Sequence, residues 1–239
     1  MLLALETAND LCSVVLFNAQ GLQAARIDGK SREQTRLILP MIDAVLCEAG
    51  IMMQNLSAIA FSRGPGSFSG IRINAAVTQA LAWTHHLPVI PVSTLAATAQ
   101  RAYQTLGASS VLVTLDARMN ELYVAQCVLN GGVMQVQGEE RLTSYEVDLP
   151  SFQTHTAAMQ PLIVVGNGCP LLQTNHATER YPSVAATAED VAAIGWMLLQ
   201  AGKTVTANQA LPVYLRDNAW KKLEVQRAEQ LAKSAASTK

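Results

Sequence analysis

Gly64-Pro-Gly-Ser-Phe-Ser-Gly-Ile-Arg72 is the stretch that decides how this chain is read. Before it runs Leu56-Ser-Ala-Ile-Ala-Phe61, short and mostly apolar; after it, Ile73 to Trp83 carries apolar residues at 73, 76, 77, 80 and 81, a helical period. The whole reads as strand, glycine loop, helix. Gly64, Gly66 and Gly70 let the backbone approach something closely, and Ser67 or Ser69 is placed to cap the first orphan amides of the helix. Such a helix start suits an anion, phosphate above all. The loop lacks the Gly-Lys-Ser/Thr of a P-loop and the glycine spacing of a dinucleotide site. Equally, it serves as a tight connection that holds no ligand.

The chain has 239 residues, enough for one large domain or two small ones with a real core. Half of it is apolar, 15% is charged and the net charge is -1, which excludes a general basic field for nucleic acid. Any RNA role must therefore be shared with a partner, and the isolated chain should hold RNA only weakly. Low charge with a positive mean hydropathy points to apolar surface that an obligate partner would cover. Met1-Leu-Leu-Ala-Leu-Glu6 has no basic start and no cleavage site, so it reads as a strand and not a secretion signal. No apolar run reaches membrane length. Cys12, Cys47, Cys127 and Cys169 are scattered without a C-x-x-C pair, as expected of reduced thiols in a cytoplasmic protein.

Leu2 to Phe17 reads as strand, polar turn, strand, with Glu6 where the first strand ends; a third strand follows at Gly21 to Ile27. Ser31-Arg-Glu-Gln34 matches a capping box, and apolar residues at 37, 38, 41, 42, 45 and 46 mark a helix that stops at Gly50 and that Pro40 should bend. Leu39 and Cys47 widen its apolar face. The helix after the glycine loop shows the same excess, because Ile71, Ala75 and Ala82 form a small-residue seam beside the stripe at 73, 76, 77, 80 and 81. That seam suits either a partner helix or a helix buried on both sides within its own domain. Leu87 to Val92 is a strand and Thr94 to Leu106 a helix.

Near Gly107 the chain begins again. Val111 to Asp116, a short polar turn and Leu122 to Leu129 repeat the opening pattern, a carboxylate ending the first strand; Asn130-Gly-Gly132 turns into another strand. Two halves that open alike indicate a duplicated α/β architecture with a cleft between them. Pro161 to Val165 is a strand meeting the glycine turn Gly166-Asn-Gly168, and Thr187 or a neighbour caps a helix through Val191, Ile194, Leu198 and Leu199 that Gly202 closes. This gives a first lobe at 1–107, a second at 108–222, and a polar tail at 223–239 that should be disordered.

Glu6 and Asp116 at strand ends, with Thr7, Gly64, Gly66, Ser67, Gly166 and Gly168 around them, are what a nucleotide phosphotransferase would set about magnesium and a γ-phosphate. Each carboxylate serves as well to cap its own turn. His85, His86, His155 and His176 offer no ligand spacing, so no metal site is expected.

Several motifs in order, namely Ile38-Leu-Pro-Met-Ile42, Arg63 to Arg72, Pro91-Val-Ser-Thr-Leu95, Asp116-Ala-Arg-Met-Asn-Glu-Leu-Tyr123 and Pro212-Val-Tyr-Leu-Arg216, resemble the bacterial tRNA threonylcarbamoyladenosine biosynthesis family TsaB over about residues 1 to 222. The resemblance implies the two-lobed fold of actin, Hsp70 and the sugar kinases. It also implies the role of a non-catalytic scaffold for the related enzyme TsaD, which places threonylcarbamoyl on N6 of adenosine 37 in tRNAs reading codons that begin with A. The ATPase TsaE would join the pair. On the same basis the partner surface falls on the helices at about 32–49 and 70–85, with Gln34, Thr35, Ile38, Met41, Ile42, Val45, Ile71, Ala75, Thr78 and Ala82 in the interface. The surface would pair with itself in a homodimer when alone, tRNA would be met only in the complex, and ADP or ATP would sit at the partner interface, the chain having no cofactor of its own. The metal-binding histidines of TsaD correspond to Thr94 and Thr98 here, and a hydroxyl is a poor transition-metal ligand. Glu6 stands where the family commonly has aspartate, and Gln34 where many members have histidine. The alternative is a nucleotide-dependent kinase of the same superfamily, with Glu6 or Asp116 as its acid.

Overall fold

A computed structural model describes residues 1–29, 33–147 and 161–216. The chain opens with an antiparallel meander, β1 (Leu2–Glu6), β2 (Cys12–Asn18) and β3 (Gly21–Asp28), followed by α1 (Gln34–Ala49), β4 (Ala58–Gly64), α2 (Phe68–His85), β5 (Val89–Ser93) and α3 (Thr94–Leu106). It then repeats the meander as β6 (Ser110–Arg118), β7 (Glu121–Asn130) and β8 (Val133–Ser144), and adds β9 (Leu162–Val165), β10 (Thr178–Tyr181) and α4 (Ala188–Gln200).

The first sheet has the order β3-β2-β1-β4-β5 and the second β8-β7-β6-β9-β10, so the two are built in the same sequence of strands. In each, the first strand pairs antiparallel with the second and parallel with the fourth. This is the duplicated, two-lobed α/β fold that the repeated opening pattern predicts.

Both faces of the first sheet are covered, which is why Leu2 to Leu5 of β1 and Ala58 to Phe61 of β4 are apolar at every position. Along β1, Leu3 and Leu5 pack toward α1 and α2, whereas Leu2 and Ala4 pack toward α4 and the start of α3. Leu95, Ala99 and Ala102 of α3 meet Val111, Val113 and Ala125 of the second sheet. The layers thus run α1 and α2, first sheet, α3 and α4, second sheet. Although α4 lies late in the chain, it packs chiefly on the first sheet, so closely at Gly195 that a Cβ there would stand 2.7 Å from Ala60 Cβ. The later segment returns as well: Val205 bridges Val89, and Val213 N–H donates to the Arg63 carbonyl at 2.8 Å.

The helix caps differ from expectation, and two expectations fall on residues outside those described. Ser31 of the proposed capping box lies outside the described residues; α1 starts at Gln34 behind Glu33, which makes no side-chain cap, and continues through Pro40 to Gly50. Ser67 is the N-cap of α2, yet neither it nor Ser69 caps a helix amide; their hydroxyls face one another at 3.5 Å. The tail at 223–239 lies outside the described residues.

The largest correction concerns which face of each helix is the core. Of the ten residues assigned to the partner interface only Thr35 is exposed; Gln34, Ile38, Met41, Ile42, Val45, Ile71, Ala75, Thr78 and Ala82 are buried in this chain's own interior. The small-residue seam of α2 is therefore its core face, and Ile73, Val77 and Leu81 are only half-buried while Ala76 and Ala80 are exposed. The reason is the closeness of α2 to the sheet. Its buried face also holds Asn74, whose amide donates to the carbonyls of Leu5 and Ser62 and to Ser62 Oγ, and a bulky stripe would not fit there. α1 turns Thr35, Arg36, Leu39, Pro40, Asp43 and Cys47 outward.

Candidate functional site

The glycine loop is occupied by the chain itself. The Ser67 N–H donates to the Ala8 carbonyl at 2.7 Å, and Thr7 Oγ1 donates to the Gly70 carbonyl at 2.8 Å. A Cβ at Gly66 would run into the Ala8 carbonyl, and one at Gly70 into that of Thr7, well inside contact distance. At Gly64, whose φ is +101°, a Cβ would stand at a tight 3.1 Å from Val213 O and 3.3 Å from Ile71. The glycines thus let backbone approach backbone, α2 against the β1–β2 turn, and the loop leaves no open phosphate cradle. The second lobe repeats the device: a Cβ at Gly166 would strike the Thr114 carbonyl, one at Gly168 would stand 2.8 Å from Leu122, and Gly168 N–H donates to Thr114 O at 3.0 Å.

Neither carboxylate faces an open cleft. Glu6 and Thr7 are wholly buried; Glu6 Oε1 accepts the Ala8 N–H of its own turn, and Oε2 has no hydrogen-bond partner among the described residues. Burial raises the Glu6 pKa to about 7, the Ala8 amide and the Ser62 hydroxyl oppose the rise, and the charge of Asp190 adds to it. Asp116 is occupied at its own hairpin, where Oδ1 accepts the Arg118 N–H at 2.8 Å and Oδ2 pairs with the Arg118 guanidinium at 2.9 Å. Each carboxylate therefore caps its own turn, and of the eight residues proposed for a nucleotide cleft only Ser67 is exposed. The hollow between the lobes, about 400 Å³, is lined instead by Arg63, Ser93, Gly138, Glu139 and Glu140 among others. The Arg63–Glu140 ion pair at 3.1 Å crosses it from β4 to β8, and two carboxylates in that lining are a poor match for a polyphosphate.

Thr94 and Thr98 are buried in the first turns of α3, where Thr98 Oγ1 donates back to the Thr94 carbonyl at 2.8 Å. Among the described residues no three His, Cys, Asp or Glu side chains come together as a ligand set. Nor is any helix of the described residues long and apolar enough to cross a membrane.

Three polar groups escape a reading of the sequence. Asn74 ties α2 to β1 and β4, and its only hint is a polar residue inside a helix otherwise rich in apolar ones. Arg101 joins α3 to α4 through Asp190 at 2.9 Å, with Glu189 at 3.3 Å and the Thr187 hydroxyl as further partners; a lone charge in an otherwise uncharged helix is the available signal. Arg216 grips the β6–β7 hairpin, donating to the Ala117 carbonyl at 3.1 Å and pairing with Glu121, and it spans residues 118–120, all three of which have positive φ.

Among the described residues, part of the exposed apolar surface lies on the outward side of the two outer helices. On α2 the row Ile73, Ala76, Val77, Ala80 is flanked by Trp83, 72% exposed, and on α1 Leu39 is 50% exposed. Ala76 and Ala80 form a second small-residue seam, through which another helix can approach closely.

Residues 29–222 match the TsaD family model, described as tRNA N6-adenosine threonylcarbamoyltransferase. The chain is 37% identical over 229 residues to the tRNA threonylcarbamoyladenosine biosynthesis protein TsaB of Escherichia coli, covering 93% of this chain and 97% of that one. The chain belongs to the TsaB family. The Haemophilus influenzae TsaB is 34% identical over 235 residues, covering 93% of this chain and 96% of its own. The solved YeaZ of Pseudomonas aeruginosa, 35% identical, superposes with a TM-score of 0.81 over 90% of this chain and 99% of that chain.

Proposed function

We propose that the protein is a non-catalytic subunit required by a TsaD-type transferase to form threonylcarbamoyl on N6 of adenosine in tRNA. The observation that carries this reading is the outward apolar face of α1 and α2, with Ala76 and Ala80 at its centre and Leu39 and Trp83 at its edges. A filled glycine loop and carboxylates spent on their own turns support an accessory role over a kinase. The same face would close on itself by two-fold symmetry when the chain is alone, giving a homodimer. A TsaE-type ATPase would join the assembled pair, and a nucleotide, ADP or ATP, would be held between chains.

The test uses the corrected face. Ala80→Arg or Ala76→Glu puts a charge at the centre of the patch, and burying it unpaired removes several kcal/mol of a micromolar association worth about 8 kcal/mol. Both variants should be folded, monomeric by sedimentation and at least tenfold poorer in restoring tRNA modification when mixed with the partner proteins. Dimeric, fully active variants would place the interface elsewhere. The kinase alternative is checked in parallel: ATP turnover by the isolated chain should stay at background, and turnover that Asp116→Ala abolishes would reinstate it.

A further inference from the structure

One exposed cluster is used neither by the core nor by the helix face just described. Phe68 opens α2, Arg72 lies one turn on, and Tyr214 belongs to the segment that returns over the first lobe. The Arg72 guanidinium carbon stands 3.5 Å from the centroid of the Phe68 ring and 5.6 Å from that of Tyr214, and Arg72 Nε donates to the Tyr214 hydroxyl at 2.7 Å. The two rings lie 6.4 Å apart, tilted by 48°, and each is 47% exposed.

The cluster is not needed to anchor the returning segment. Val213 already donates to Arg63 O on one side of Tyr214, and Arg216 grips the β6–β7 hairpin on the other. Held at both ends, Tyr214 is presented as a fixed surface. Arg72 has no carboxylate partner among the described residues, whereas Arg26, Arg36, Arg63, Arg101, Arg118 and Arg216 all have one. A guanidinium that lies over the Phe68 ring, is hydrogen-bonded to the Tyr214 hydroxyl and has no carboxylate partner among the described residues offers a charged fork for a phosphate beside half-exposed rings on which a base can stack. The position of the cluster fits as well, since Arg72 immediately precedes Ile73, the first residue of the outward apolar row.

We infer that Phe68, Arg72 and Tyr214 form a contact for an unpaired stretch of the tRNA, with a phosphate on Arg72 and an unstacked base against the rings. The inference rests on the accessory-subunit reading above and gives this chain a direct, local share in holding the substrate RNA. A single cationic contact on a near-neutral protein is in keeping with the expectation that the chain alone binds RNA weakly.

The test uses the full-length chain assembled with its TsaD-type and TsaE-type partners and a fluorescently labelled, unmodified tRNA transcript reading a codon that begins with A. Arg72→Gln should raise the Kd for the transcript about tenfold and lower the salt slope by about one between roughly 50 and 200 mM salt. Phe68→Leu and Tyr214→Leu should weaken binding several-fold while leaving that slope unchanged. Assembly by sedimentation and helicity should be as in the wild type. Variants that bind the transcript normally in a wild-type-like assembly overturn the inference alone. So do variants that lose partner association yet bind RNA normally once assembled, which would make the cluster part of a protein interface. If the wild-type chain neither assembles nor restores modification, the accessory reading fails first and takes this inference with it.

Discussion

Gly70→Ala is expected to destabilise the protein by about 4 kcal/mol or more, at the upper end of what single substitutions do, out of a total of about 5–15 kcal/mol for a protein of ordinary stability. A methyl group at this position meets the Thr7 carbonyl, which is backbone at the buried start of the β1–β2 turn and has nowhere to go. Relief requires α2 to lift off the β1–β2 turn, breaking the Thr7 and Asn74 hydrogen bonds with it. Thermal unfolding followed by circular dichroism should show a Tm lower by about 10 °C, taking about 2–4 °C per kcal/mol for a chain of this size. Ser69→Ala, one residue away but exposed and capping nothing, should move Tm by less than about 2 °C. Equal Tm values for the two variants would mean that the loop can yield, and that close backbone approach is not what requires glycine there.

The second large effect is on pH dependence. Glu6 titrates near 4.5 when unfolded and is pushed up to about 7 by burial in the native protein, so the folded chain holds a proton that the unfolded chain releases. The stabilisation from that proton is fully present below about pH 4.5 and is lost as pH rises through 7. Over that window it amounts to about 3 kcal/mol. Asp190, raised by burial from 3.8 to about 6 despite its pairing with Arg101, adds a smaller loss over a lower window. The wild type should therefore be more stable to urea at pH 5.5 than at pH 8, opposite to the trend set by salt-bridged surface acids. Glu6→Gln keeps an acceptor for the Ala8 amide but carries no charge. At pH 8 it should be more stable than the wild type by about 2–3 kcal/mol, with near equality at pH 4.5. Parallel pH profiles for the two proteins would show that Glu6 does not carry the native proton.

The duplicated fold is legible in the sequence because its signals are local and repeated. Leu2 to Glu6 and Val111 to Asp116 are apolar runs ended by a carboxylate, and each glycine turn follows a parallel strand. The glycine loop is legible as a place of close approach; what approaches it, the Thr7–Ala8 backbone, is a contact across some 60 residues that no local pattern encodes. Helix faces mislead for a related reason. Periodicity assigns the larger apolar residues to the core, so it prefers Ile73, Val77 and Leu81 over Asn74, Ala75 and Thr78. Where a helix lies so near a sheet that Gly70 fits and alanine does not, small and hydrogen-bonded residues win the buried side and bulk is left at the rim.

The position of α4 has a consequence for how the chain comes into being. Leu2, Ala4, Ala58 and Ala60 find their cover in Val191, Ala192 and Ile194, separated from β1 by most of the sequence. At about 5–20 residues per second, synthesis from β1 to α4 takes about ten to forty seconds. From the completion of α2 until α4 follows, the first sheet has one face dressed by α1 and α2 and another covered only by the start of α3. The N-terminal half therefore emerges as an amphipathic, aggregation-exposed intermediate, and only the arrival of residues 188–200 turns it into the inner layer of a finished protein.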